Sequence, residues 1–132
     1  MGNFSNYLAN ELLDHIFKVG DYTAPTNIYI ALSTADPGDD GSTISEPSGN
    51  NYARKVHNTW DTAASRATEN TGAIEFNEAT GSWGTITHVA AFDSLTGGNM
   101  LAHGALSASK AIDNGDILRF ADGELDVSFA SS

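Results

Sequence analysis

The sequence predicts a mainly β domain, an antiparallel β-sandwich of about seven strands (jelly-roll-like or a flattened barrel) with one N-terminal α-helix. Three observations predict it. Short runs alternate apolar and polar residues with the period of two that strands require. Turn pairs such as Gly97-Gly98, Asn114-Gly115 and Asp122-Gly123 separate those runs, and they supply the positive φ angles of tight turns. One segment alone carries apolar residues at helical spacing.

That segment is Asn3 to Val19, "NFSNYLANELLDHIFKV". Phe4, Leu8, Leu12 and Ile16 recur every fourth residue, and Leu13 widens the stripe. Asn3 or Ser5 can cap the start, Lys18 suits the negative C-terminal end, and Gly20 is a natural stop, which places a helix over about residues 5–17. The stripe Phe4, Leu8, Leu12 and Ile16 is the candidate packing or subunit-contact surface, docked either on the domain's own sheet or on a neighbour. In "NIYIALS", Ile28, Ile30 and Leu32 alternate with Tyr29 and Ala31, a strand. Thr34 to Asn51 is rich in Gly, Pro, Ser and acids and reads as a long exposed loop. Tyr52 to Trp60 reads as a second strand, "DTAASRATENTG" as a polar connection, and Ala73 to Phe76 as a third strand. "GTITHVAAFDS" and "NMLAHGALSAS" flank "LTGG" as a hairpin, and "ILRF" and "LDVSFA" complete the set.

The 132 residues fit one domain, residues 1–132, with 40% apolar content sufficient for a modest core. No run approaches the roughly 18 apolar residues of a membrane span, and the N-terminus lacks a basic-then-apolar leader pattern. A soluble protein without membrane contact is expected. Seventeen acidic against six basic residues give a net charge of −11, which phosphate backbones would repel, so nucleic-acid binding is disfavoured. The absence of cysteine removes disulfides, thiolate metal sites and cysteine nucleophiles.

Candidate chemistry is sparse. Alternation places His88 with Ile86 and Ala90, and His103 with Leu101 and Ala105, so both histidines can share one sheet face. Zinc needs three or four ligands, and no further His or acid stands at a matching offset. No serine occupies a strand-to-helix elbow, and Asp93 falls on the strand face opposite His88. The histidines are expected to be hydrogen-bonded sheet residues, and His15 and His57 surface groups. Against a calcium loop centred on Gly41, Asp36 and Asp40 take positions 1 and 5, Gly38 spoils position 3, and Glu46 precedes the bidentate position held by Pro47. The loop is therefore expected to be solvated, with no metal and no cofactor. Tyr52, Arg54, Lys55 and Trp60 form the one aromatic–basic cluster, and a strand end braced by Arg54 fits the acidic surroundings better than a nucleic-acid platform.

The order of these pieces, above all "YAR" (Tyr52–Arg54), "WGTITH" (Trp83–His88), "GGNMLAHGAL" (Gly97–Leu106) and "GDILRF" (Gly115–Phe120), resembles a family of small bacteriophage virion structural proteins, described as tail-fibre-like or as capsid decoration (cement) proteins. The resemblance runs from Asn6 to Phe129. It implies a structural role with no catalytic residues, partners among virion proteins, and a place in the virion after a soluble stage in the host cytoplasm. With no fibrous repeat or shaft in the chain, a head-surface decoration protein on the major capsid protein is the first expectation, and a tail or tail-fibre component is the alternative. A homo-oligomer is expected, with a trimer as the guess for a decoration protein. A carbohydrate-binding module using Tyr29, Trp60 or Trp83 is the alternative of another class. A hydrolase lacks a clustered acid, base and nucleophile.

Overall fold

The computed structural model describes residues 2–129. Among these residues nine strands and one helix follow in the order β1 (Gly2–Phe4), α1 (Asn6–Ile16), β2 (Tyr29–Ser33), β3 (Lys55–Val56), β4 (Ala67–Glu69), β5 (Ile74–Glu75), β6 (Gly84–Phe92), β7 (Met100–Ile112), β8 (Arg119–Phe120) and β9 (Asp126–Ser128). Seven strands form one curled sheet in the order β3-β2-β6-β7-β1-β9-β4, and β5 and β8 form a separate ribbon.

The mainly β class with one N-terminal helix is as the sequence predicts, but the sheet is mixed, not antiparallel. β1 runs parallel to β9, with Gly2 beside Val127 and Asn3 beside Ser128. No tight turn joins these two strands, so nothing local dictates an antiparallel pair. The second layer is only a ribbon, which makes the molecule a half-barrel closed on one side.

The hairpin is the centre of the sheet. β6 and β7 pair from Gly84–Ile112 to Phe92–Met100, with an irregularity where Ile86 faces Lys110 and His88 faces Ala105. Four residues of β7 bulge out between those two pairs, and β7 is longer than its sequence pattern suggests. At the hairpin end Asp93 accepts the Asn99 amide at 2.8 Å. Gly98 has φ of +74°, and a Cβ there would sit 2.6 Å from the Asp93 carboxylate and from the Ser94 Cβ; only glycine fits. The expected strand from Tyr52 to Trp60 shrinks to Lys55–Val56, because Trp60 instead bridges to Asn70. The polar connection conceals β4, and β1 precedes the helix; both are three residues long and too short to show a period. Ala130, the last residue of the expected final strand, lies outside the described residues.

Alternation along the central strands separates two apolar clusters. Ile30, Leu32, Val89 and Ala91 join Ile74, Phe76, Trp83 and Phe120 in the main core beneath the ribbon, where the Phe76 and Phe120 rings meet edge to face. On the other face Ala31, Ala90, Phe92 and Met100 form a smaller cluster, with Tyr29 and Ile44 against it. Asn70 is buried among these elements; its amide donates to the Gly72 and Ala121 carbonyls and its oxygen accepts the Leu125 amide.

Ser5 sets the start of α1. Its hydroxyl accepts the Leu8 amide at 3.1 Å and donates to the Met100 carbonyl, so the cap also fastens the helix to β7. Phe4, expected on the helix stripe, belongs to β1 and lies 4.4 Å, ring centre to ring centre, from Phe129. The cap therefore begins after Phe4, and Asn3 pairs with His103 rather than capping. The helix stops before Gly20: Phe17 is the C-cap and Lys18 takes the left-handed conformation at φ 70°.

Replacing Ser5 with Ala removes the cap and leaves the Leu8 amide and Met100 carbonyl without this partner. Denaturant unfolding should show a loss of about 1–2 kcal/mol. An unchanged midpoint would contradict the double role given to Ser5.

Candidate functional site

The histidines of the hairpin do share one face. Register pairs Ala90 with His103 and His88 with Ala105, which makes the two histidines diagonal neighbours across β6 and β7. They do not act on a common partner. His88 Nδ1 meets the Thr87 hydroxyl at 2.8 Å. His103, largely buried, turns to the acidic loop: its Nε2 is 3.0 Å from an Asp39 carboxylate oxygen and its Nδ1 3.9 Å from Asp36. Sixty-four residues separate His103 from Asp39, so no offset in the sequence announces the pair. His15 and His57 each meet one backbone group, the amide of Tyr22 and the carbonyl of Thr71.

The loop from Thr34 to Asn51 is built as structure. Asp36 accepts the Gly38 amide and Asp40 accepts the Ser42 amide, each a local turn. The Ser42 amide and hydroxyl hold the exposed Asp40 carboxyl below its usual range. Pro37 is buried and Ile44 packs on the sheet. Among the described residues no group of three or more His, Asp and Glu stands together as a metal site.

Glu46, considered above as a calcium ligand, is instead the partner of Arg54. The guanidinium meets it in a two-pronged pair, Nε to Oε1 at 3.0 Å and Nη2 to Oε2 at 2.7 Å. Nη1 donates to the carbonyls of Ser94 and Gly97 at 2.8 Å each. The guanidinium also lies 3.8 Å from the centre of the Phe92 ring. Tyr52 completes the network: its hydroxyl donates to Glu46 at 2.7 Å and accepts the Leu32 amide at 3.0 Å. Burial, reinforced by the Glu46 charge, pushes the Tyr52 hydroxyl far above its ordinary range. Arg54 is thus the brace expected of it, and its acid partner was hidden in the loop eight residues earlier.

The aromatic candidates for sugar binding are dispersed. Trp83 is buried with its indole donating to the Asn50 carbonyl. Trp60 is half-buried, donates to the His57 carbonyl, and lines an apolar groove of about 210 Å³ with Leu8, Ile28, Ala91, Leu101 and Val127. Tyr29 packs beside the Phe92 cluster.

No residue of the helix is fully buried. Leu8 and Leu12 are half-buried, while Leu13 and Ile16 are 57% and 62% exposed, as are Phe17 at 71% and Val19 at 77%. The expected stripe is therefore split: Phe4 leaves for β1, Leu8 faces the groove, and Ile16 joins an outward face with Leu13 and Phe17. Phe17 and Val19 escaped attention because they follow the last repeat of the stripe.

A family model described as "Podophage GP4 fiber I protein gp80" matches residues 3–128. The chain belongs to that family. The resemblance to small phage virion structural proteins therefore holds over nearly the whole gp80-family chain, and of the two placements drawn from it the fibre alternative fits the family better than capsid decoration. No curated protein matches the sequence.

Two outcomes test the brace of this gp80-family protein. Arg54→Ala should lower stability by about 3 kcal/mol, the low end for a broken buried pair because Glu46 keeps some solvent. Arg54→Lys should recover only part of it, since an ammonium cannot make the two-pronged pair; full recovery would contradict the geometry. The raised Tyr52 hydroxyl sets a sign for alkali. The unfolded chain loses that proton near pH 10 and the folded one does not, so stability should fall as pH rises above about 10. Unfolding midpoints measured across that range should decline less steeply in Tyr52→Phe than in the parent, and equal slopes would count against this assignment.

Proposed function

We propose that the protein is a non-enzymatic structural subunit of a phage fibre, placed on the tail side of the virion rather than on the head surface. The observation that carries this reading is the family match over residues 3–128 to a protein described as a podophage fibre protein. The site geometry is in keeping with it: the polar side chains of Arg54, Glu46 and Tyr52 close on each other as a brace. Compactness and acidity favour a head-surface decoration protein when taken alone, but both properties serve a fibre subunit equally well. A high negative charge keeps the free chain soluble before assembly, and repeated small contacts between many copies give a stable attachment.

The carbohydrate-binding alternative loses one of its rings with Trp83 buried in the core. Electron microscopy of particles labelled with an antibody to this chain tests the proposal. Label along fibres at the tail end is expected. Label confined to the capsid surface, or absent from every particle, would overturn it.

A further inference from the structure

The chain enters its sheet in the middle. β1, the first strand, lies between β7 and β9, antiparallel to one and parallel to the other. The helix follows at once, and the residues after it stay with it. The Val19 and Gly20 amides return to the Asp14 carbonyl, the Tyr22 amide donates to His15 Nδ1, and the Tyr22 ring meets the Tyr7 ring edge to face. The next anchor is on the body of the domain, where the Asn58 side chain holds both Asn27 and the Ile28 amide. Between these anchors Thr23, Ala24, Pro25 and Thr26 make no hydrogen bond among the described residues, and Thr23, Ala24 and Thr26 are exposed. Residues 2–22 are therefore one unit, joined to the body through a bare connection of four residues. Pro25 fixes its own φ and drives Ala24 to extended backbone, so the connection favours reach over a tight return.

The seat of this arm is shaped to its sequence. Asn3 and Phe4 pair with His103 and Ala102, and Gly2 and Asn3 with Val127 and Ser128. A Cβ on Gly2 would fall on the His103 carbonyl oxygen, so the seat admits only glycine there. The Ser5 amide and hydroxyl donate to the Leu101 and Met100 carbonyls, and the Asn6 amide donates to the Asp39 carbonyl. The Phe4 ring lies on Phe129, and Leu8 lines the groove beside Trp60. Each of these contacts joins residues 2–8 to the body, and none involves the connection. The arm of another copy, identical in sequence, makes all of them unchanged.

We infer that residues 2–22 are an exchangeable arm: the place between β7 and β9 takes the arm of a second copy of this chain, and reciprocal exchange joins the copies. The own-arm and exchanged forms differ only in the path of residues 23–26, so concentration decides between them. Closure within one chain prevails in dilute solution, and exchange prevails where many copies gather. The mode also suits a chain of net charge −11, because the joining contacts lie inside the sheet and not between two acidic surfaces. Exchange does not depend on where in the virion the chain sits, and its test uses the free protein, so either reading can fail without the other.

The chain has no cysteine, so introduced thiols report the exchange alone. Phe4 and Ala102 stand opposite one another on β1 and β7, within disulfide reach. Chains carrying Phe4→Cys and chains carrying Ala102→Cys are unfolded together, refolded at high concentration and oxidised. A covalent dimer holding one of each variant is expected on a non-reducing gel, and refolding at about a hundredfold dilution should abolish it. Phe4→Cys mixed with Ser107→Cys, an exposed residue of β7 beyond its pairs with β1, should give no such dimer. A deletion variant keeps the test decisive if either substitution prevents folding. Removing Thr23 to Thr26 takes away up to about 14 Å of reach, so the arm no longer returns to its own seat. That chain should keep the circular dichroism of the parent and sediment as a dimer or larger. Failure of the folded Phe4→Cys and Ala102→Cys chains to crosslink at any concentration, or a folded monomer from the deleted chain, would overturn the inference.

Discussion

The pair between Arg54 and Glu46 is the interaction on which the shape of this protein depends. An arginine this buried needs a carboxylate and further acceptors, or its charge would be intolerably desolvated. Glu46 supplies the first, and the carbonyls of Ser94 and Gly97 supply the rest. These groups come from the long loop and from the hairpin turn, while Tyr52 ties the same carboxylate to the Leu32 amide of β2. One guanidinium thereby fastens the long loop to the hairpin turn. The loop from Thr34 to Asn51 reads by composition as long and exposed, yet it is held at Glu46, at Asp39 by His103, and by Ile44 on the sheet.

That arrangement explains what was legible in the sequence and what was not. The helix, the central hairpin and β2 were legible because each carries its own period or turn signal. β1 and β4 were not, since three residues cannot express an alternation and their pairing comes entirely from neighbours that are remote in sequence. The parallel pairing of β1 with β9 was invisible for the same reason. Among the polar groups, Arg54 could be recognised as a brace, because a basic residue between aromatic neighbours in an acidic chain calls for burial or pairing. Its partner Glu46, and the pairing of His103 with Asp39, depend on how the loop folds back and leave no fixed spacing behind.

The helix shows the opposite failure. A repeat of four drew Phe4, Leu8, Leu12 and Ile16 into one stripe, but the backbone enters α1 only after Ser5, which removes Phe4. A repeat of four also drifts around a helix of 3.6 residues per turn, so Ile16 ends on a different side from Leu8. Leu13, Ile16 and Phe17 then form an exposed face.

Amide hydrogen exchange compared between the parent protein and Arg54→Ala tests that account most directly. If the Arg54–Glu46 pair holds the loop to the hairpin turn, amides around Ser45 and at Asn99 should exchange slowly in the parent and markedly faster in the variant. Equal exchange at these amides in the two proteins would contradict it.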